Sequence, residues 1–436
     1  MRRKKENQNK REFTAKKIFA VAAIIFFGIA TVATSITAAG LIYSDVNNKR
    51  VASQSVDNIT DKTQETNSVM GNFIASYRES VNTFNEDLND DIGKLIPFNE
   101  SIKKGYGRFL RTIGKKVAVD ELYITCMMDN GYLSYATKQV DLTRYAQNLI
   151  EFRDACTQAG SDFLFLLNPS KADGTAELFP KGITNYYNEN KQTLLSELDK
   201  TDMRYICTSD IAKENGLDVC ELFFKTDHHW LPTTGLWVAG EVANELNTNY
   251  GYNFNLNMFD IENYNVTTYK KLFYGSQGKK MCYGYTQAED FDVIEPKFDT
   301  NFTFWSESTK GVITEKEGTF SQTVIKRTDF SSDYSTANDN AYATYMSGDR
   351  PIVKLENLNC KNGKRILILK TSLANVIIPF LACGDVQYID VLDLRMYSKS
   401  ATDYLNETKP DTVIVMYGLP YYSLSLTAES CSWKFK

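Results

Sequence analysis

Three short apolar runs limit what this chain can fold into: Asp162–Leu167 (DFLFLL), Arg365–Leu369 (RILIL) and Thr412–Met416 (TVIVM). Apolar residues occupy successive positions in each, so both faces of the strand must be covered. Between and around them the pattern turns helical. Leu142–Ala159 has helical spacing, and Tyr187–Leu198 repeats it before a strand at Met203–Cys207. Thr233–Asn247 follows Pro232 and sets Leu236, Ala239, Val242, Ala243 and Leu246 on one face. After Leu369 the order is a helix (Ser372–Leu381), a strand (Val386–Val391) and a helix (Lys399–Asn406). Strands alternating with helices predict a three-layer α/β/α domain around a parallel sheet. In such sheets ligands bind beyond the carboxyl ends of the strands, which points to the residues just after Leu167, Leu369 and Met416.

The ends and the middle of the chain read differently. Residues 1–17 carry eight Lys/Arg and two Glu, a basic head expected in the cytoplasm. Ile18–Tyr43 has no charged residue and is long enough to span a bilayer as one helix. An uncleaved anchor fits its length better than a cleaved signal peptide, although Thr37-Ala38-Ala39-Gly40 would suit cleavage. This orientation puts the C-terminal body outside the cell. Residues 44–118 are polar, with Val69, Phe73, Tyr77, Val81 and Phe84 at helical spacing, and are expected to form a mainly helical stalk. The domain proper is expected over 119–436, opening with strands at Glu121–Met127 and Tyr132–Tyr135. Residues 250–360, rich in Asn, Tyr, Phe and Thr, read as a β-rich insertion with short alternating stretches at Asn301–Trp305 and Gly318–Lys326. Its aromatic residues suit either a core or sugar-stacking faces.

Charge and residue counts remove several functions. Beyond the head the chain has 41 basic and 52 acidic residues, too acidic for a general nucleic-acid binder. The eight cysteines all lie after residue 43, where disulfides are allowed, and no C-x-x-C motif supports zinc. No cofactor motif is present.

The whole histidine inventory is two neighbours, His228 and His229, in Thr226-Asp227-His228-His229-Trp230-Leu231-Pro232. In an extended loop Asp227 and His229 project to the same side. A carboxylate beside an imidazole fixes its tautomer and stabilises the imidazolium, which is what a general base for a hydroxyl needs. Two other readings fit the same residues: histidines that cap the helix entry, or a metal held by two His and one Asp. A nucleophile for the base is available in Thr371-Ser372, directly after the RILIL strand and at the start of a helix, where backbone N–H groups can receive an oxyanion. An ordinary Ser helix cap is the alternative. After the DFLFLL strand, Asn168 could donate to an oxyanion and Lys171 could meet an anionic substrate, or both belong to a solvated loop.

Taken together, Thr226–Trp230, Asn168-Pro169-Ser170-Lys171 and Thr371-Ser372 resemble the DHHW family of bacterial membrane-anchored proteins. These are relatives of the alginate O-acetyltransferases with SGNH-hydrolase-like domains. Asp129-Asn130-Gly131 and Lys361–Arg365 fit in the same order. The resemblance implies a Ser-His-Asp triad, Ser372, His229 and Asp227, that handles acyl esters on a cell-surface or exported polysaccharide outside the membrane. It implies oxyanion or substrate contacts from Asn168, Lys171, Thr371 and His228, no metal, and a membrane-bound O-acyltransferase as acyl-supplying partner. The family turn usually carries Gly-Asp-Ser or Gly-Thr-Ser; here it is Lys370-Thr371-Ser372. Lysine lacks the freedom of glycine, so a catalytically inactive, glycan-binding or assembly protein is the second reading.

Overall fold

The computed structural model describes residues 99–120, 123–326 and 340–419. The basic head, the apolar run 18–43 and the expected stalk as far as residue 98 lie outside them. Among the described residues no helix is long and apolar enough to cross a membrane.

The chain order opens with α1 (Asn99–Thr112), β1 (Val117–Val119), β2 (Ile124–Met127), β3 (Leu133–Tyr135), α2 (Thr143–Gln158) and β4 (Asp162–Asn168). It continues with α3 (Tyr187–Leu198), β5 (Tyr205–Cys207), α4 (Thr208–Glu214) and α5 (Pro232–Asn249). Next come β6 (Tyr264–Phe273), α6 (Ser276–Met281), β7 (Glu289–Pro296), β8 (Phe302–Glu307), β9 (Ile313–Gly318), α7 (Phe320–Thr323) and β10 (Ile352–Asn357). The last elements are β11 (Arg365–Lys370), α8 (Ile378–Ala382), β12 (Tyr388–Leu392), α9 (Ala401–Thr408) and β13 (Thr412–Gly418).

An eight-stranded sheet runs β5-β4-β13-β11-β12-β10-β8-β9. The three apolar runs are its centre, β4, β13 and β11. Their residues alternate between two cores. Leu164, Leu166, Ile366, Ile368, Ile414 and Met416 pack with α5 and α8, while Phe163, Phe165, Leu167, Leu367, Leu369, Val413 and Val415 pack with α2, α3 and α9. Each such side chain contributes ~1.5–3 kcal/mol by leaving water, so the continuous apolar runs follow from burial on both faces. This is the expected α/β/α arrangement.

The expected parallel sheet is corrected to a mixed one. β5, β4, β13, β11 and β12 are parallel. β10 joins β12 antiparallel, β8 joins β10, and β9 joins β8. These three strands come from the 250–360 stretch. The link between β8 and β9 is only a turn, and short links permit only antiparallel neighbours. Part of the insertion therefore extends the central sheet, while β6 and β7 make a separate two-stranded one. Many aromatics in this stretch are buried as core residues, Tyr264, Phe273, Tyr274, Tyr285, Phe291 and Phe304 among them. Gly318–Lys326 is not a strand beyond its first residue: Thr319 and Gln322 form a capping box that starts α7.

The helix expected over Ser372–Leu381 is divided. Ser372–Val376 is a 3₁₀ turn and α8 follows from Ile378. Pro379 is the reason: within one continuous helix its ring would collide with the carbonyl four residues back. Before the sheet, β1, β2 and β3 form a small antiparallel sheet, and Leu110 of α1 packs against Leu133, Met281 and Tyr285. None of the seven described cysteines is in a disulfide, and Cys126, Cys156, Cys207 and Cys220 are buried.

Candidate active site

The carboxyl ends of β4, β13 and β11 share one edge of the sheet, since Gly418 pairs with Asn168 and Met416 with Lys370. Ser372 opens the 3₁₀ turn beyond that edge. As the first residue of the turn its N–H has no partner within the helix. The other half of the site is the loop between Phe224 and α5. Phe224 N donates to His229 O and Leu231 N to Leu222 O, which closes the loop into a narrow hairpin. Pro232, with no N–H to lose, then starts α5.

These two halves meet at hydrogen-bond distance. His229 Nε2 lies 2.7 Å from Ser372 Oγ, and His229 Nδ1 lies 2.5 Å from Asp227 Oδ1. Asp227 Oδ1 also accepts the N–H of His229 at 2.9 Å, and Oδ2 accepts the N–H of Ser276 at 2.5 Å. Burial by itself raises the Asp227 carboxyl pKa. The adjacent His228 and His229 rings and the N–H donors outweigh burial, and the carboxyl stays far below the usual range. Asp227 is therefore a fixed anion beneath His229.

Neighbouring side chains tie the loop to the Ser372 turn. Trp230 is fully buried and its Nε1 donates to Leu373 O at 2.8 Å, so the last residue of the motif holds the turn directly. Tyr342 stacks on the His229 ring at 4.0 Å and donates to the same Leu373 O at 3.3 Å. Gly235 of α5 abuts Val376, where a Cβ would overlap the backbone. Gly275, before α6, lies against Asp227 with no room for a Cβ. Glu289 accepts from Lys225 N, Thr226 N and Thr226 Oγ1 at 2.7, 2.7 and 2.5 Å, which anchors the loop's start.

Lys171 departs from its expected place at a substrate. It is 2% exposed, and its Nζ donates to Phe224 O, Asp227 O and Gln277 Oε1 at 2.8, 2.5 and 2.8 Å. Burial pulls its pKa down to about 7, against the pull of Asp227 and Glu289. Three acceptors nevertheless use all three hydrogens of an ammonium group, so the geometry fits the charged form. Lys171 supports the Asp227 loop from below.

Asn168 is fully buried and gives Nδ2 to Met416 O at 3.1 Å; the same carbonyl accepts Thr371 N at 3.3 Å. Asn168 Oδ1 and Thr371 Oγ1 have no partner among the described residues. His228 sets Nδ1 3.0 Å from Ser276 Oγ and its ring 4.0 Å from that of His229. Burial, with the neighbouring His229, pushes its pKa down to about 3, which keeps it neutral. Ligand atoms of Asp227, His228 and His229 lie within 4.8 Å of one another. Both nitrogens of His229 are already engaged, however, and a cation would have to displace Ser372 or Asp227 from them. Sequence reasoning missed Ser276, Glu289 and Tyr342; nothing in their local pattern marks them, because only the folded insertion brings them to the loop.

Residues 128–265 match the family model described as the SGNH hydrolase-like domain, acetyltransferase AlgX. The chain carries an SGNH-like α/β domain. The matched stretch holds Asn168, Lys171, Asp227, His228 and His229, and ends before Ser372. Among solved structures, Bacillus cereus PatB1 with a sulfonyl adduct superposes with TM-score 0.54 at 23% identity, covering 67% of this chain and 93% of that one. A DHHW family protein from Eubacterium siraeum gives TM-score 0.51 at 18% identity, with 69% and 92% covered. These likenesses are to the fold alone. No match is found among curated proteins.

Proposed function

We propose that this chain is a serine-dependent O-acetyltransferase or acetylesterase acting on a cell-surface or exported polysaccharide. The contact of Ser372 Oγ with His229 Nε2, backed by Asp227, carries the reading. Ser372 Oγ attacks the acyl carbonyl as His229 takes its proton, and Asp227 stabilises the imidazolium. The oxyanion is met by the Ser372 N–H; Asn168, fully buried and bound to Met416 O, holds the end of β13 instead. The tetrahedral adduct expels the donor's oxygen, which takes the proton from His229. A sugar hydroxyl then gives its proton to His229 as it attacks the acyl-serine; the adduct breaks its bond to Ser372 Oγ, which takes the proton back from His229, and water in the sugar's place makes the reaction a hydrolysis. The match to an acetyltransferase-named domain supports the acyl chemistry. In this reading residues 18–43 anchor the domain on the outer face of the cell membrane. A membrane-bound O-acyltransferase supplies the acyl group there, because acetyl-CoA is confined to the cytoplasm.

The inactive-binder reading drew on Lys370, and Lys370 is 2% exposed, its Nζ bound to Asp349 and Asn375. It leaves the Ser372–His229 contact intact, so no observation favours that alternative. The test is hydrolysis of 4-nitrophenyl acetate by the full chain. Ser372→Ala and His229→Ala should each lower kcat by ~10³-fold or more with the circular dichroism spectrum unchanged. Activity retained in Ser372→Ala would overturn the assignment.

A further inference from the structure

The turn that carries Ser372 lacks the usual devices that hold such a turn. It is a 3₁₀ turn, whose hydrogen bonds are poorly aligned. Thr371 at its N-cap makes no side-chain capping bond, and Thr371 Oγ1 is buried without a partner among the described residues. No glycine precedes the serine. The side chains two residues before Ser372 and three residues after it instead close a triangle. Lys370 Nζ donates to Asp349 Oδ1 at 2.6 Å and to Asn375 Oδ1 at 2.8 Å, and Asn375 Nδ2 donates to Asp349 Oδ1 at 2.9 Å. Lys370 and Asn375 are both 2% exposed. Two further groups balance the charge: Asp393 Oδ2 lies 3.4 Å from Lys370 Nζ, and Arg395 binds both Asp349, at 2.7 Å, and Asp393, at 2.5 Å.

Asp349 belongs to the same segment as Tyr342, which stacks on His229 and bonds Leu373 O. One stretch of chain therefore grips the nucleophile turn and the base together. A buried ion pair is weak evidence for stability, since desolvation offsets the attraction; its better-attested use is to select one arrangement over others.

We propose that Lys370, Asn375 and Asp349 are positioning residues that hold Ser372 in register with His229, taking the part that a glycine-containing turn and an N-cap play elsewhere. The proposal rests on the catalytic reading of Ser372, but the geometry it describes can be read without turnover. Lys370 thus becomes a requirement of this site where the sequence pattern marked it as a defect.

Two variants test it in the full chain. Asn375→Ala removes two sides of the triangle and leaves no bare charge, and Asp349→Asn keeps the shape while removing the charge. A misplacement of about 1 Å can cost ~10²-fold in rate. Both variants should lose about 10- to 100-fold in kcat for 4-nitrophenyl acetate, with KM within about twofold. With only two histidines in the chain, ¹⁵N-histidine NMR reads His229 Nε2 directly. Ser372→Ala gives the resonance of a ring that has lost its serine, and Asn375→Ala should move towards that position. Wild-type kcat together with an unmoved resonance in Asn375→Ala would overturn the clamp and leave the proposed function standing. A moved resonance in a protein whose wild type does not hydrolyse 4-nitrophenyl acetate would uphold the clamp and count against the esterase form of the catalytic reading. A lowered melting temperature with kcat per folded molecule and the resonance unchanged would reduce the triangle to a stability role and overturn the proposal.

Discussion

Asp227 divides its two oxygens among three N–H groups, those of His229 Nδ1, the His229 backbone and the Ser276 backbone. All three are donors, so the site is built for an acceptor-only carboxylate. An amide at this position must turn its NH₂ towards one of those donors and lose that bond, or else force the His229 tautomer that cannot accept from serine. Asp227→Asn should therefore lower kcat by ~10⁴-fold while KM changes little, measurable by steady-state hydrolysis of an acetyl ester. His229 and Asp227 were legible in the sequence because a two-residue spacing sets both on one side of an extended loop. Lys171 was misread because sequence shows a charge but not its burial; three carbonyl-type acceptors under the loop decide where it goes.

At the scale of elements, the site depends on close approach between loops that come from different parts of the chain. Gly275 brings the start of α6 against Asp227 so that the Ser276 N–H reaches Oδ2, and a Cβ there would overlap Asp227 Cβ and Thr226 O. Both obstacles are short-tethered, one being backbone, so the loop itself must move. Gly275→Ala should cost ~1–3 kcal/mol in urea unfolding, the usual range for overpacking. It should also lower kcat more than the loss of folded protein explains. Helix and strand cores agree with the sequence patterns to within a few residues; β4 starts at Asp162 and α3 spans Tyr187–Leu198 as expected. Two stretches are exceptions, Gly318–Lys326, which turns into α7, and the helix expected over Ser372–Leu381. The apolar spacing of the latter ignores Pro379, and the chain answers with a 3₁₀ turn followed by a short α8.

For the whole molecule, the charges buried around the site make stability depend on pH. Burial raises the Asp349 carboxyl pKa, but Lys370 and Arg395 outweigh it and hold the group well below the usual carboxylate range. Asp227 is depressed in the same way by its imidazole neighbours. A depressed carboxyl gives stability that is full above its unfolded pKa of ~4 and is lost as pH falls towards the folded value. The urea midpoint should thus begin to fall below about pH 6.5, where the unfolded chain but not the fold protonates His228, and drop more steeply below ~4 as the carboxyls join in. Asp349→Asn should flatten that drop, and an acid limb as steep as the wild type's would show that Asp349 does not contribute to it. The same pH series on the wild type locates where the fold, rather than the chemistry, limits activity.

By itself the sequence determined the layers and singled out the residues that could serve as a base and its orienter. Continuous apolar runs require burial on both faces, helical spacing between them requires crossovers, and a chain with two adjacent histidines has one place to put a general base. What only the tertiary structure decided depends on contacts between residues far apart in sequence. It placed β8, β9 and β10 on the parallel core, because strand pairing direction is set by the connections and not by residue pattern. It brought Ser372 to His229 across 143 positions, and it surrounded Lys370 with Asp349, Asn375 and Asp393. No local pattern records these encounters, since a buried charge and an exposed one have the same letter until the partner arrives.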